Sequence, residues 1–365
     1  MIPLCVPEIR GNEWKYVKDC IDTNWVSSVG SYVNLFEEKF SKFVKSECAV
    51  VTMNGTAALH LALLTLGIGE GDEVIVPSLT FISPVNTIRY VGATPVFADV
   101  CRDTFVLDAD KIEDLITEKT RAIMPVHIYG HPADMDKIME IARKHNLYVI
   151  EDATEALGSE YKGQMTGTIG DIGCFSFNGN KLITTGAGGM LVTNNKEWGE
   201  RAKFLSTQTK VVTENKAFYH PEIGYNFRMP NLLAAFGVAQ LENIEEYIKA
   251  KRENAEYYNK LLKNVKGITL PCEKPYAKNC FWLYSILVED DYEINRDDLV
   301  KKMSEKGVET RPFFMPIHNM PPYKDFKHGN MNVTDELYRK GINLPSSVGL
   351  KKEDIEYICE IIRRR

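Results

Sequence analysis

Two residues near the middle of the chain combine reactive side chains with settings that suit chemistry. Lys181 lies in a run from Ser176 to Gly189 that is rich in glycine and threonine, and Asp152 ends the hydrophobic run 147–152. A lysine amine can bind an aldehyde covalently, and a carboxylate can keep a pyridine nitrogen protonated. Together they indicate an enzyme that uses pyridoxal 5'-phosphate (PLP), a cofactor that carries both an aldehyde and a pyridine ring.

The stretch after Lys181 supports this interpretation. Two threonines and three glycines follow at 184–189, which supply hydroxyl groups and a backbone that can approach a ligand closely. An isolated lysine is almost always a solvated surface charge, and such a lysine does not need this setting. We therefore predict that Lys181 acts as a nucleophile and as a proton shuttle.

Lys181 and Asp152 must be positioned by strands and helices, which the sequence indicates by short apolar runs that alternate with longer helical patterns. This alternation is typical of a parallel sheet flanked by helices, and it places the chain in the α/β class. Strands are predicted near Ala49–Val51, Glu73–Val76, Thr94–Asp99, Ala122–Val126, Tyr148–Asp152, Ile172–Phe177 and Gly189–Val192.

Helical periodicity predicts helices over Thr56–Leu66, over Asp134–Asn146, and over a long charged segment from about Leu241 to Val265. Beyond the last of these, two strands and a helix from Lys352 are typical of a smaller α/β unit. The strands are predicted at Phe281–Glu289 and Gly307–Phe313. We therefore predict a large domain over residues 1–245 and a small C-terminal domain over residues 246–365.

Two more features follow predicted strands, and ligands of open parallel sheets bind beyond the carboxyl ends of the strands. Asn54-Gly55-Thr56-Ala57 opens a helix whose N–H groups and dipole could hold a phosphate. Phe81 could stack on a flat ring. Each feature alone also fits an ordinary role, as a capped helix or a core aromatic. Their shared position at strand ends favours one common site.

Composition argues against several other classes of protein. The 365 residues are 44% hydrophobic and 26% charged, as in a globular protein with a sizeable core. The formal net charge of −6 disfavours a nucleic-acid surface, which needs clustered lysine and arginine. Eight cysteines without a Cys-x-x-Cys spacing indicate neither a metal site nor a disulfide scaffold. We expect no membrane span and no signal peptide, and hence a cytoplasmic protein.

Six segments occur in order along essentially the whole chain: Asn54–Ala58, Pro77–Phe81, Glu151–Gly158, Ser176–Lys181, Gly224–Met229 and Arg311–Phe314. In this combination the sequence resembles the DegT/DnrJ-type sugar aminotransferases. The resemblance implies PLP-dependent transferase fold type I, as in aspartate aminotransferase, with a mostly parallel seven-stranded sheet in the large domain and a smaller C-terminal α/β domain. It also implies a homodimer whose active sites lie at the subunit interface.

The matching positions imply roles for individual residues. Lys181 is similar to the lysine that binds PLP covalently, and Asp152 to the partner of the pyridine nitrogen. The other implied contacts are Gly55, Thr56 and Ser176 for the phosphate, Ala57 for the cofactor, Phe81 for the ring face, Asn226 for a phosphate in the neighbouring subunit, and His318, Arg228, Trp25 and Ser28 for the substrate. Lys203 and Lys210 are further candidates for contact with a substrate diphosphate.

One position departs from the commoner pattern of the family. Many relatives have glutamine three residues after the aspartate, where it hydrogen-bonds to the phenolic oxygen of the cofactor, whereas this chain has Glu155. A carboxylate there would repel a phenolate unless one of them is protonated or a cation lies nearby. We predict that Glu155 contacts the cofactor on that condition.

Asn180 and the segments 11–14 and 25–28 are most similar to enzymes that aminate carbon 4 of a nucleotide-linked 4-keto-6-deoxy sugar. The nearest resemblances are the legionaminic acid, bacillosamine and perosamine branches. We interpret the chain as an aminotransferase that moves the amino group of L-glutamate to such a sugar for surface glycans such as lipopolysaccharide O-antigen. The main hypothesis is a UDP-linked 4-keto-6-deoxy-N-acetylhexosamine, and the alternative is a GDP-linked, perosamine-type substrate.

Three other functions are compatible with parts of the sequence. A PLP-dependent sugar dehydratase would have histidine in place of Lys181 in the family pattern. A non-catalytic regulatory protein with this fold would not need the combination of Lys181, Asp152 and the phosphate contacts. A nicotinamide-binding domain is disfavoured because no Gly-x-Gly-x-x-Gly follows the first strand.

Overall fold

The structure is a computed structural model that describes residues 1–213 and 216–363. The α-helices in this part of the chain are α1 (Glu13–Asp22), α2 (Ser31–Val44), α3 (Gly55–Thr65), α4 (Ser83–Tyr90), α5 (Met135–His145), α6 (Lys196–Ser206), α7 (Asn231–Leu241), α8 (Ile244–Leu262), α9 (Arg296–Glu305), α10 (Asn332–Lys340) and α11 (Lys352–Arg363). The strands are β1 (Cys48–Thr52), β2 (Glu73–Pro77), β3 (Thr94–Ala98), β4 (Thr120–Ile123), β5 (Tyr148–Asp152), β6 (Glu160–Tyr161), β7 (Gln164–Met165), β8 (Ile172–Ser176), β9 (Gly189–Thr193), β10 (Val211–Thr213), β11 (Lys216–Tyr219), β12 (Ile268–Thr269), β13 (Ala277–Lys278), β14 (Tyr284–Val288), β15 (Arg311–Pro312) and β16 (Gly341–Leu344).

A seven-stranded sheet forms the centre of the fold, with the strand order β1-β9-β8-β5-β4-β2-β3. Strands β3, β2, β4, β5 and β8 pair in parallel, whereas β9 is antiparallel to both of its neighbours, β8 and β1. Helices cover both faces, so the strands are buried almost throughout and read as continuous apolar runs. The predicted mostly parallel sheet is confirmed, and each predicted strand overlaps one of the seven.

Helix α3 explains how the sheet presents a helix N-terminus to a ligand. Its leucines at 59, 61 and 63 are fully buried, and its alanines also face the interior. A helix that is apolar on all sides must lie inside the protein. Helix α3 therefore packs within the core, and its first turn lies at the carboxyl edge of the sheet, directly after β1.

The C-terminal region forms a second sheet with the order β12-β14-β16-β15, in which all pairs are antiparallel. Helices α8, α9 and α11 pack on it around a separate core that includes Tyr258, Ile286 and Ile358. The long charged helix predicted from about Leu241 to Val265 corresponds to α8, which begins at Ile244, and the apolar helix α7 before it ends at Leu241. The predicted domain boundary between residues 245 and 246 falls within α8 and stays a prediction.

All eight cysteines are free thiols. Within residues 1–213 and 216–363, no helix is long and apolar enough to cross a membrane, and no group of three or more His, Cys, Asp and Glu residues is placed to hold a metal ion.

His131 is a buried histidine in the loop that follows β4, next to the central sheet. Its Nδ1 lies 2.8 Å from the carbonyl oxygen of Pro132, and its Nε2 lies 3.3 Å from the amide nitrogen of Lys274. Donation from Nδ1 and acceptance at Nε2 together require a neutral ring. Burial lowers the pKa of His131 to about 4.

This histidine predicts a loss of stability in acid. Because its pKa is lower in the folded than in the unfolded chain, the neutral ring contributes fully above about pH 6.5 and its contribution is lost as the pH falls toward 4. Urea unfolding should show that about 2 kcal/mol of the wild-type free energy of unfolding disappears between about pH 7.5 and about pH 5 through this residue alone. His131→Gln should lack that component, whereas His145→Gln, at a partly exposed histidine, should keep it. Identical pH dependence in wild type and His131→Gln would contradict the prediction.

Candidate active site

The N-terminus of α3 provides backbone donors at the carboxyl edge of the sheet. Thr52 donates its hydroxyl to the carbonyl oxygen of Asn54 over 2.9 Å, and the Asn54 side chain caps the helix by accepting the N–H of Ala57 over 2.8 Å. The N–H groups of Gly55 and Thr56 begin the helix, where helical geometry supplies no acceptor. With the helix dipole they can bind an anion. The N–H of Ala57, a predicted cofactor contact, is donated to Asn54 in this structure.

Ser176 ends β8 directly opposite Gly55. A Cβ atom built on Gly55 would lie 2.9 Å from the Cβ of Ser176 and 3.1 Å from Cγ2 of Thr154. Such a contact between carbon atoms is too short, so only glycine keeps the gap between α3 and the end of β8 open. This gap is a cradle of two backbone amides and one hydroxyl, which is suited to a phosphate group.

Asp152 ends β5 and is almost completely buried. Its Oδ1 accepts the N–H of Thr154 over 3.0 Å, which fixes the carboxylate in the cavity wall. Burial raises the pKa of Asp152, while the bonds from Thr154 and the charge of Lys181 oppose that rise. A positively charged ligand atom beside this carboxylate would favour its ionised form.

Lys181 and Glu155 also line this cavity and lie close to each other. The Nζ of Lys181 lies 3.5 Å from Oε1 of Glu155, and the second oxygen of Glu155 accepts the N–H of Tyr129 over 2.9 Å. Burial raises the pKa of Glu155, and the charge of Lys181 opposes the rise. The cation that the sequence analysis required next to Glu155 is therefore Lys181 itself.

These side chains surround a cavity of about 290 Å³. The predicted site residues that line it are Gly55, Thr56, Phe81, Asp152, Glu155, Ser176 and Lys181. Phe81 is 53% exposed, and its ring lies 5.8 Å from that of Phe314. Because a side chain of this kind is usually buried, an exposed ring at the cavity is available to stack on a ligand.

The cavity also contains residues that the sequence analysis did not identify, above all Trp282. Its indole Nε1 donates to the carbonyl oxygen of Asn180 over 2.7 Å, and the Nζ of Lys181 lies 3.7 Å from the centre of its ring. The predicted strand Phe281–Glu289 includes Trp282, but β14 begins only at Tyr284. Arg311 also lines the cavity. In the sequence it is part of the family-like segment Arg311–Phe314, but no individual role is predicted for it.

Two basic residues predicted to meet the substrate lie elsewhere. Arg228 is buried and forms an ion pair with Glu37, and Lys203 lies 3.2 Å from the other oxygen of the same carboxylate. Glu37 also accepts the N–H of Val51, so this group joins α2 to β1. The structure does not bring Arg228 or Lys203 to the cavity, and their contact with a diphosphate stays a prediction.

The remaining predicted contacts are also outside this cavity. His318 is buried, with its Nδ1 2.8 Å from the hydroxyl of Ser78. Asn226 is exposed, and its backbone pairs with Thr207. Trp25 is 55% exposed and Ser28 is partly buried. Lys210 is exposed and lies over the ring of Phe218, 4.5 Å from its centre.

The residues that are brought together suit the chemical groups of PLP. The cradle at Gly55 and Ser176 suits a phosphate, the buried carboxylate of Asp152 suits a protonated ring nitrogen, and the amine of Lys181 suits an aldehyde. Two observations support the fit of PLP to this cavity. A Cβ at Gly55 would fill the space for the phosphate, and Lys181 lies next to the buried carboxylate of Glu155.

Comparison with known proteins agrees with this geometry. The DegT/DnrJ/EryC1/StrS aminotransferase family matches residues 7–363. A GDP-perosamine synthase of Escherichia coli O157:H7 is 46% identical over 361 residues, with 99% of this chain and 97% of that protein covered. A GDP-perosamine synthase of Caulobacter vibrioides is 43% identical over 358 residues, with 98% and 96% covered.

Solved structures share the whole architecture. The sugar aminotransferase Spr1654 of Streptococcus pneumoniae in its PLP form, itself described as putative, superimposes with a TM-score of 0.94 at 27% identity, covering 99% of this chain and 97% of that chain. The aminotransferase TlmJ of Streptoalloteichus hindustanus gives a TM-score of 0.93 at 28% identity, with 100% and 98% covered.

Proposed function

The chain belongs to the DegT/DnrJ/EryC1/StrS aminotransferase family, and on that premise we propose that it transfers the amino group of L-glutamate to carbon 4 of a GDP-linked 4-keto-6-deoxy sugar. It is a PLP-dependent sugar aminotransferase. The observation that carries the proposed chemistry is the cavity in which Lys181, Asp152 and the N-terminus of α3 face one another. The aminated sugar would serve the synthesis of a surface glycan.

When bound, PLP supplies an aldehyde that accepts an amino group and a ring that withdraws electrons from the carbon next to it. Asp152 would hold a proton on the ring nitrogen, because a positive charge beside a buried carboxylate favours the ionised form of that carboxylate. Thr154 fixes the direction of that carboxylate through its N–H. Gly55, Thr56 and Ser176 would hold the phosphate through two backbone N–H groups and one hydroxyl.

Lys181 has two tasks in the proposal. Its Nζ would hold the cofactor covalently between turnovers, and during each half of the reaction it would move a proton to or from the reacting carbon. Glu155, 3.5 Å away, can take up and return that proton, since burial favours its neutral form and the ammonium group favours its ionised form. Trp282 closes the cavity beside Lys181 and keeps water away from the amine.

We propose that two copies of the chain form the working enzyme. Phe218 and Ile223 are 78% and 82% exposed, and they lie close in sequence to the exposed Asn226. Exposed apolar side chains of this size are typical of protein interfaces. A homodimer would cover them and would allow Asn226 to reach the phosphate site of its partner, as the family resemblance implies.

The relatives favour a guanosine nucleotide over the uridine nucleotide of the main sequence-based hypothesis. Three proteins named GDP-perosamine synthase are 46%, 43% and 42% identical to this chain over nearly its full length. Nucleotide and sugar are recognised by loops, in which few changes alter specificity. The GDP-linked alternative is therefore the one that we propose.

A panel of substrates tests this proposal. The purified protein is incubated with PLP, L-glutamate and 4-keto-6-deoxy sugars linked to GDP, UDP or dTDP, and product mass and NMR show which sugar gains nitrogen and at which carbon. We expect amination of the GDP-linked sugar at carbon 4, with at least about a hundredfold lower kcat/KM for the UDP-linked N-acetylated sugar. Preferred amination of a UDP- or dTDP-linked sugar would overturn the proposed substrate.

Gly55→Ala is expected to weaken PLP binding. The added Cβ would lie 2.9 Å from the Cβ of Ser176 and would partly fill the phosphate cradle. We expect the Kd for PLP to rise on the order of tenfold or more, because a displaced phosphate loses charge-assisted bonds to the backbone. Titration of the cofactor-free protein with PLP measures this Kd. Gly179→Ala is the matched control, since a Cβ there meets no atom within 4 Å. Equal affinities for the two variants would contradict the assignment of the cradle.

A further inference from the structure

The amine of Lys181 lies close to two groups that both attract a positive charge. On one side is the carboxylate of Glu155, 3.5 Å from Nζ, and on the other is the indole of Trp282, whose ring centre is 3.7 Å from Nζ. An aromatic face attracts cations through its quadrupole, and tryptophan does so most strongly. Only 13% of the Lys181 side chain is exposed, so solvent screens these attractions weakly.

Trp282 is held in this orientation by several contacts. Its Nε1 donates to the carbonyl oxygen of Asn180, the residue before Lys181. Its own carbonyl oxygen accepts from the buried amine of Lys251 over 2.8 Å, and the ring of Tyr129 stacks on it with centres 6.5 Å apart. The indole is therefore fixed relative to Lys181.

Backbone strain lies next to both partners of Lys181. Tyr129, whose N–H holds Glu155, has φ = +55°, and Phe281, which precedes Trp282, has φ = +50°. Bulky residues rarely adopt this left-handed conformation, and it persists only where other contacts enforce it. Asn279 enforces it at Phe281 by accepting the N–H of that residue over 2.6 Å. Strain of this kind is concentrated at functional sites, and here it accompanies the two groups that flank a single amine.

We propose that Glu155 and Trp282 form a docking site for the protonated side chain of Lys181. This site holds the ammonium group next to the cofactor while the cofactor carries the amino group taken from glutamate. Trp282 is then a positioning residue that acts through Lys181. This inference rests on the proposed function, because it takes Lys181 as the amine that is released when glutamate donates its nitrogen. Docking keeps the released amine close to the reacting carbon and stabilises the aminated half of the cycle.

The first test measures how accessible the amine of Lys181 is in the glutamate-treated holoenzyme. The protein is treated briefly with acetic anhydride, and mass spectrometry gives the rate of acetylation at Lys181. We expect Trp282→Leu and Glu155→Gln to raise that rate about tenfold, with Trp282→Phe in between because it keeps an aromatic face. Trp198→Leu is the matched control, a partly buried tryptophan that packs on Tyr148 away from the cavity, and it should match wild type.

The second test is thermodynamic. The ratio of glutamate to 2-oxoglutarate that converts half of the cofactor to its amine form is read from the loss of the visible absorbance band. We expect this ratio to rise about tenfold in Trp282→Leu, to recover partly in Trp282→Phe and to stay unchanged in Trp198→Leu.

The outcomes separate the two proposals. If wild type binds PLP but its visible band survives in Lys181→Ala, the proposed anchor is wrong. If the band depends on Lys181 but Trp282→Leu and Trp198→Leu give equal acetylation rates and equal ratios, the docking site alone is wrong.

Discussion

Lys181→Ala is expected to abolish turnover and to remove the visible absorbance band of bound PLP. Among the residues that line the cavity in the described part of the chain, Lys181 is the only lysine, so no neighbouring amine can replace it in the covalent bond or in proton transfer. We expect kcat to fall by a factor on the order of 10⁴ or more. Absorbance scans and borohydride reduction, followed by mass spectrometry of the peptide that carries the cofactor, measure both effects.

The matched control is Lys278→Ala. Lys278 is also close to a carboxylate, with its Nζ 2.6 Å from an oxygen of Glu160, but it lies outside the cavity. It should retain the band and most of the activity. Added small amines should restore part of the turnover of Lys181→Ala, because they can replace the missing proton carrier. A borohydride-fixed cofactor on any other residue of wild type would contradict the assignment.

The sheet and the residues at its carboxyl edge could be predicted because both depend on local patterns. Buried parallel strands read as apolar runs, and ligands bind beyond their carboxyl ends. The positions of Gly55, Asp152 and Ser176 followed from that rule and not from any knowledge of tertiary contacts. Lys181 followed from its unusual glycine-rich surroundings. All four line one cavity in the structure.

Contacts that depend on distant parts of the chain could not be predicted in this way. Trp282 follows Lys181 by a hundred residues of sequence, and its place in the cavity depends on the turn at Phe281 and on its bond to Asn180. Arg228 appeared as a free cation, but a glutamate from α2 neutralises it. Sequence patterns report which side chains are present, whereas tertiary packing decides which of them are already paired.

Two neighbouring acidic residues also show that the sequence alone does not reveal which side chains are already paired. Glu151 and Asp152 are consecutive residues of β5, and side chains alternate between the two faces of a strand. The carboxylate of Glu151 accepts the N–H groups of Gly167, Ile169 and Gly170 and pairs with His127. Its acceptor sites are thus occupied by the protein, and it anchors the loop before β8. Asp152 lines the cavity, and among the described residues Thr154 alone donates a hydrogen bond to its carboxylate, which leaves it available to a ligand.

Asp152→Asn is expected to lower kcat about 10²- to 10³-fold while PLP still binds. Asparagine keeps the shape of the side chain and can still accept the N–H of Thr154 through its oxygen, but it carries no charge. Without a carboxylate the ring nitrogen loses its proton, and the ring withdraws electrons less strongly from the reacting carbon. Steady-state kinetics measure kcat, and titration with PLP should show a Kd within about threefold of wild type, because the phosphate cradle is intact.

Asp171→Asn is the matched control for Asp152→Asn. It distinguishes the effect of a negative charge at the ring nitrogen from the effect of losing a carboxylate elsewhere in the protein. Asp171 is also a carboxylate whose pKa is raised by burial and that accepts a backbone N–H, from Val149 over 2.7 Å, but it does not line the cavity. It should affect stability and leave kcat within about twofold of wild type. If Asp152→Asn and Asp171→Asn gave the same kcat, the ring nitrogen would have another partner. The difference between them therefore isolates the contribution of one negative charge at the end of β5. Asp152 is buried and Asp171 partly buried, and both variants lose a carboxylate whose pKa burial raises, but only Asp152→Asn loses it next to the cofactor site.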